Sequence, residues 1–241
     1  MSRKDTVPRF LSAGDTALVV EFGSVVDPAL IATVQALDRA VAAAALPGVV
    51  ETVPSFRSLM IHYDPLVTSA ATLSAAVAAL ERDEAAACAP VRRWLLPCCY
   101  AEQFAPDLGA VAAATRLSPD AVIAAHSGTE FTVAMLGFLP GCPFLAGLDA
   151  TFDLPRRTQP RTRVPAGSVA IAQKLSVIYP ADSPGGWHLI GNCPVPLFDP
   201  NRLAPALLAP GDIVRFRPID APEHDCIRAA DGDPMREYLQ P

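Results

Sequence analysis

The side chains best suited to chemistry cluster in three dense runs: Gly137 to Leu148 (GFLPGCPFLAGL), Pro155 to Ala170 (PRRTQPRTRVPAGSVA) and Tyr179 to Phe198 (YPADSPGGWHLIGNCPVPLF). Each alternates rigid proline with permissive glycine, which stiffens a loop while letting a backbone approach a partner closely. His188 follows Gly185, Gly186 and Trp187. An imidazole with an ordinary pKa of about 6.5, beside a glycine-lined recess, can serve as general acid or base. The alternation of Trp187-His188-Leu189-Ile190 suits a plain strand residue equally well. Arg161 and Arg163 offer two guanidinium forks for the carboxylate of a small acid, with Arg156 and Arg157 in reach of the same place. The competing reading is a solvated basic loop or a docking patch for an acidic partner. Tyr179 and Ser183 add hydroxyl donors near the same loop, although a buried tyrosine often serves only its own OH.

Other nucleophiles fit structural roles better. Ser168 has no histidine at a fixed spacing to activate it, and a turn-closing role suits it. Cys142, between Gly141 and Pro143, has no neighbouring cation in sequence to lower its pKa and reads as structural. The apolar Phe138, Leu139, Phe144 and Leu145 on the same run suit a plug under a ligand or a partner contact. There is no P-loop, no dinucleotide-binding glycine fingerprint, no H-E-x-x-H and no G-x-S-x-G elbow. The four histidines stand far apart with no cysteine at ligand spacing, so no metal is expected.

These loops need a scaffold, and two different ones are legible. Strands are expected at Leu18 to Phe22, Val49 to Val53 and Ser58 to Tyr63. A helix begins at Asp27-Pro28 and stops at Pro47-Gly48, with Leu30, Ile31, Val34, Leu37 and Val41 at helical spacing, and a second begins at Thr68 or Ser69. Strand, helix, strand, strand, helix predicts a split βαβ, ferredoxin-like α/β domain over residues 1–90. Asp83 to Pro90 reads as a linker. In residues 91–241, a strand at Arg92 to Cys99 and helices at Pro106 to Arg116 and Ser118 to His126 precede short strands. These are Phe131 to Leu136, Val169 to Ala172, Ser176 to Tyr179, Trp187 to Ile190 and Ile213 to Phe216. Short strands with dense turns predict a β-barrel or sandwich, and the whole is of α+β class.

Composition agrees with this division. Of 25 prolines, six lie in residues 1–96 and nineteen in 97–241, which divides the chain into an α/β start and a proline-rich β remainder. With 51% hydrophobic and 18% charged residues the chain is not disordered. A net charge of −6 argues against gripping nucleic acid or an anionic membrane. The absence of a signal-like run or a long apolar stretch makes the cytoplasm the expected location. Six cysteines, with no C-x-x-C pair, suit buried thiols rather than a disulfide scaffold.

The three motifs in this order, with the G-D-x-V-R-F run at Gly211 to Phe216, resemble the family of the 5-oxoprolinase B-type subunit, also called allophanate hydrolase subunit 1 or Kip-type kinase inhibitor. The resemblance covers essentially the whole chain. It implies a cyclophilin-like β-barrel as the second domain. It also implies action with two partners, a C-type sister subunit of related barrel fold and an A-type third subunit. Together they would open the lactam of 5-oxoproline to L-glutamate, with ATP supplied through the complex. His188 is then the expected catalytic residue, and Arg161, Arg163, Tyr179, Ser183, Gly185 and Gly186 the expected substrate-binding ones. Related readings are a carboxyltransferase part acting on urea or a similar amide, or a non-catalytic histidine kinase inhibitor. No biotinylation motif occurs, so covalent biotin is not expected on this chain. Two positions depart from the family pattern. Leu175 replaces a glutamine and cannot hydrogen-bond a ligand, and Asn192-Cys193 replaces Arg-Thr, which removes a carboxylate-binding fork.

Overall fold

In the first unit, residues 1–90, alternation and helical spacing convert directly into strands and helices. The computed structural model describes residues 7–25, 27–80, 92–230 and 238–240; the expected linker at Asp83 to Pro90, with Cys88, lies outside them. Strands β1 (Arg9–Ser12) and β2 (Ala17–Glu21) pair antiparallel. Helix α1 (Pro28–Ala44) is started by Asp27, whose carboxylate accepts from the Ala29 amide at 2.7 Å, and ends at Ala45 in the left-handed region. Strands β3 (Val49–Pro54) and β4 (Ser58–Tyr63) lead to α2 (Ala70–Ala78), capped by Ser69.

The sheet order is β1-β2-β4-β3 with every neighbour antiparallel. β4 therefore lies between β2 and β3, the split βαβ arrangement. The edge beside β2 is filled by β1, which precedes it, where a βαββαβ sheet places the strand that follows its second helix. Val34, Leu37 and Val41 of α1 and Val77 of α2 bury against Val20, Leu59 and Ile61.

The second unit, residues 91–241, winds seven strands into a closed barrel. In barrel order they are β5 (Arg93–Cys99), β12 (His188–Asn192), β9 (Ser168–Ala172), β10 (Leu175–Ile178), β7 (Pro143–Ala146), β6 (Phe131–Leu136) and β13 (Ile213–Ile219), which returns to β5. The β13–β5 pair is parallel and the other neighbours are antiparallel. β14 (Leu239–Gln240) pairs antiparallel with the start of β5. Inward residues such as Trp94, Leu96, Phe131, Val133, Leu145, Ile171, Ile178, Ile190 and Phe216 fill the interior. Helices α3 (Leu108–Thr115) and α4 (Pro119–Gly128) add Val111, Ala112 and Val122 to that core. No single described helix is long and apolar enough to cross a membrane.

β9 and β10 are buried on both faces. Their outward residues Ala170, Ala172, Val177, with Tyr179 just beyond β10, pack with Trp187, Leu189 and Val164 in a second apolar layer. A two-stranded ribbon, β8 (Arg161–Val164) with β11 (Ser183–Gly185), contributes Val164 to this layer. Leu175, the residue standing where the family has glutamine, also packs there. The two-residue turn joining β9 and β10 puts Gln173 and Lys174 at φ 52° and 63°, a conformation glycine or asparagine normally supplies. The two turn amides donate to Leu154 and Phe152 carbonyls at 2.7 and 3.1 Å, which fixes the turn to the chain around Phe152 and Leu154. A last helix, α5 (Ala221–Ala229), buries His224, whose Nε2 bonds the Asn192 side-chain oxygen at 2.8 Å. Asn192 also donates to the Ala166 carbonyl at 3.0 Å, so this second departure from the family pattern serves as a buried tie.

Closure rests on a close approach at Gly191, where a Cβ would lie 2.7 Å from the Cys98 sulfur and 3.0 Å from the Cys99 carbonyl oxygen. Gly191→Ala is expected to spread the β12–β5 seam and lower stability by about 1–2 kcal/mol, the usual cost of overpacking. Denaturant unfolding measures this, and an unchanged midpoint would contradict it.

Candidate functional site

A buried carboxylate organises one end of the barrel unit. Asp107 stands immediately before α3, only 4% exposed, and its two oxygens accept four hydrogen bonds. Oδ1 takes Arg157 Nη1 and Arg161 Nη2, each at 2.8 Å. Oδ2 takes Arg161 Nη1 at 2.8 Å and the Leu189 amide at 2.7 Å. The Asp107 amide in turn donates to the Leu189 carbonyl at 3.0 Å. Burial alone would raise the Asp107 pKa, but the Arg161 and Leu189 hydrogen bonds and the two arginine charges outweigh it and hold the carboxyl below its ordinary value.

This knot fixes the chain after the Ala150–Phe152 turn against α3 and β12. The Arg157 amide donates to the Gly186 carbonyl at 2.7 Å, and His188 Nε2 bonds the Pro155 carbonyl at 2.9 Å. Between the fixed loop and α3 lies an open cleft of about 400 Å³. Ala110, Val111 and Ala114 line its helical wall, and Leu154 through Gln159 with His188 line the other. Arg156 also stacks over the Trp187 ring, its guanidinium carbon 5.6 Å from the centroid.

The residues singled out from sequence divide between this cleft and the ribbon. His188 lines the cleft with Arg156 and Arg157. The fork of Arg161 is taken up by Asp107 behind it. Arg163 pairs at 2.7 Å with Asp182, both well exposed, and Asp182 also accepts from the Ala166 amide at 2.8 Å. That pair links the two strands of the ribbon to each other. Tyr179 is buried in the outer apolar layer, and burial pushes its hydroxyl pKa up to about 12. Its OH explains Gly185, where a Cβ would sit 2.5 Å from that oxygen. Ser183 Oγ is buried on the ribbon without a partner among the described residues. At Gly186 a Cβ would make only ordinary contacts, the nearest 3.7 Å, and its role here is the carbonyl that Arg157 uses. Cys142 is buried with its thiol pushed up to about 12, which removes it as a nucleophile at neutral pH. Among the described residues no group of three metal-ligating side chains stands together.

The sequence reading missed Asp107. A Pro-Asp pair ahead of a helix was the available signal, but the arginines it binds lie 50 and 54 residues away.

A split βαβ unit and a closed barrel of this topology occur together in the urea carboxylase of Kluyveromyces lactis. That structure is 22% identical, with a TM-score of 0.78 over 100% of this chain and 24% of that one. The chain belongs to the family described as carboxyltransferase domain, subdomain C and D, which it matches over residues 8–208. It is 38% identical over 214 residues to the 5-oxoprolinase B-type subunit of Bacillus subtilis (strain 168), a match spanning 84% of this chain and 89% of that protein. The solved structure of TTHA0988 is 37% identical with a TM-score of 0.75, covering 86% of this chain. This chain spans 40% of that longer one.

Proposed function

We propose that this protein is the B-type subunit of an ATP-dependent 5-oxoprolinase. With two partners, a sister barrel protein and a third subunit, it hydrolyses the lactam of 5-oxoproline to L-glutamate. The observation that carries the reading is the near full-length similarity to the B-type subunit of the Bacillus subtilis 5-oxoprolinase. The cleft is consistent with a shared active site. It offers cationic groups to hold a carboxylate and an imidazole to move a proton, and no activated nucleophile lines it. Lactam opening adds water to the ring carbonyl and breaks the C–N bond, with a proton delivered to the departing nitrogen. We assign that proton transfer to His188, which lines the cleft. ATP acts through the assembled complex in this reading, since the sequence carries no P-loop of its own.

The test is co-expression with the two candidate partners, followed by an assay of ATP-dependent glutamate release from 5-oxoproline, with the Bacillus subtilis complex as competent control. Release by the full complex is expected. A purified complex that releases none, while the control does, overturns the reading.

A further inference from the structure

In the four-stranded sheet of the first unit, Phe10, Leu18, Val20, Leu59 and Ile61 turn to the face that packs with the helices. Successive strand residues point to opposite faces, so their neighbours in sequence belong to the other face. There the register sets Leu11 beside Val19, Val19 beside Met60 and Met60 beside Val53, an apolar row that crosses β1, β2, β4 and β3 without a break. Leu11, Val19 and Met60 are half-buried and Val53 is 39% exposed. An apolar row through the middle of a polar face has the composition of an interface core with its rim. The two ends of this face carry opposite charge. At one end Arg9 and Arg57 share the single carboxylate of Glu21, at 3.2 and 2.8 Å, which leaves a positive charge over. At the other end stand Asp15 in the β1–β2 turn, Glu51 on β3 and Asp64 directly after β4.

We propose that this face packs on the same face of a second copy of the chain, about a two-fold axis that runs along the apolar row. Such an axis keeps each strand over its own counterpart and reverses its direction. The row from Leu11 to Val53 then lies on itself, at the spacing of about 10 Å that stacked sheets adopt. The basic end of each copy lies over the acidic end of the other. Arg9, at the start of β1, meets the β1–β2 turn that carries Asp15, and Arg57, in the β3–β4 turn, meets Glu51. A two-fold contact makes each of these pairings twice. An axis along the strands would instead set like charges together, which is the arrangement that charge patterning selects against.

The test is sedimentation equilibrium of the full chain, alone, over a hundredfold range of concentration at low ionic strength. A monomer–dimer equilibrium is expected. Met60→Lys, at the centre of the row, and Val53→Lys, at an exposed edge position that folding tolerates, should each weaken association tenfold or more. Asp15→Arg sets two cations together across the axis and should weaken it as well, and adding Arg9→Glu to that variant should restore it. A folding defect would not be mended by a second charge exchange on the surface. A chain that is monomeric throughout, a dimer indifferent to these variants, or a double exchange that fails to restore association overturns the proposal. A monomeric chain whose Val53→Lys variant no longer holds a partner subunit assigns the face to that subunit and equally overturns the second copy.

Discussion

Asp107→Ala is expected to lower the stability of the barrel unit by about 3 kcal/mol, because it strands two guanidinium groups and the Leu189 amide that now share one carboxylate. Breaking a buried ion pair from one side typically costs about 3–5 kcal/mol. Arg157 and Arg161 each keep part of their surface in water and can rehydrate, which places the cost at the lower end. For a unit of this size that is a fall in melting temperature of roughly 10 °C. Asp107→Asn should restore little of it, since an amide turns a donor toward the arginines. The acid dependence has a definite sign. A carboxyl whose folded pKa lies below its unfolded value contributes its stabilisation in full above about pH 4, and the contribution disappears as pH falls through the folded pKa. Thermal melts of the wild type and both variants at neutral pH check the magnitude. A loss under about 1 kcal/mol, the range of exposed pairs, would show that solvent already screens the cluster.

The same variant tests how the cleft is built. The loop from Pro155 to Arg161 has prolines at both ends of its arginine-rich stretch, and Asp107 adds the third constraint. Pre-set backbone and a buried anchor together keep the cleft wall in place before any ligand arrives, which spares the ordering cost on binding. The proline excess in the second part of the chain therefore has a local meaning at this loop.

Elements that bury one face in a regular period were readable from the sequence. Ser58–Tyr63 and Phe131–Leu136 fall where expected, and α1 begins at the Asp27 cap. Elements whose residues pack on both sides, or hardly pack, were not. β7 begins on Pro143 and sends Leu145 into the barrel core but Phe144 into the outer layer, so the run reads as a uniformly apolar loop. β8 is Arg-Thr-Arg-Val, with only Val164 buried, and carries no alternation of hydrophobic type. α5 has one buried residue, His224, although its Asp220 cap and early proline were in plain view. At the site, the histidine and arginine types were legible and their partners were not. Arg161 and Asp107 meet only because the barrel brings the start of β8 and the approach to α3 together. Leu175 and Asn192 looked like damage to a ligand site; neither lines the cleft, and each has a packing or bonding role elsewhere in the barrel.

His126 should make the folded protein markedly sensitive to mild acid, through a group the proposed chemistry does not use. Its ring lies wholly inside the barrel core, 4.7 Å from Phe216 and 5.1 Å from Phe131 between centroids. Both nitrogens are bonded, Nδ1 to Tyr100 OH at 2.8 Å and Nε2 to Ser176 Oγ at 3.0 Å. Hydroxyls can donate or accept, so either neutral tautomer is satisfied there. A charged ring is not, because burial withdraws the water that would solvate it, and the pKa falls from 6.5 to about 3. Below pH 6.5 the unfolded chain takes up a proton that the folded one refuses, so stability falls as pH drops toward the folded value. At about pH 4.5 the loss from this residue alone is about 3 kcal/mol relative to pH 7, by the linkage of one pKa unit to about 1.36 kcal/mol. His126→Gln, less stable at neutral pH because it disturbs the network, should lose correspondingly less over the same pH interval. Parallel urea titrations at the two pH values measure the difference. Identical pH slopes for wild type and variant would mean that the ring gains access to water before the rest of the barrel opens.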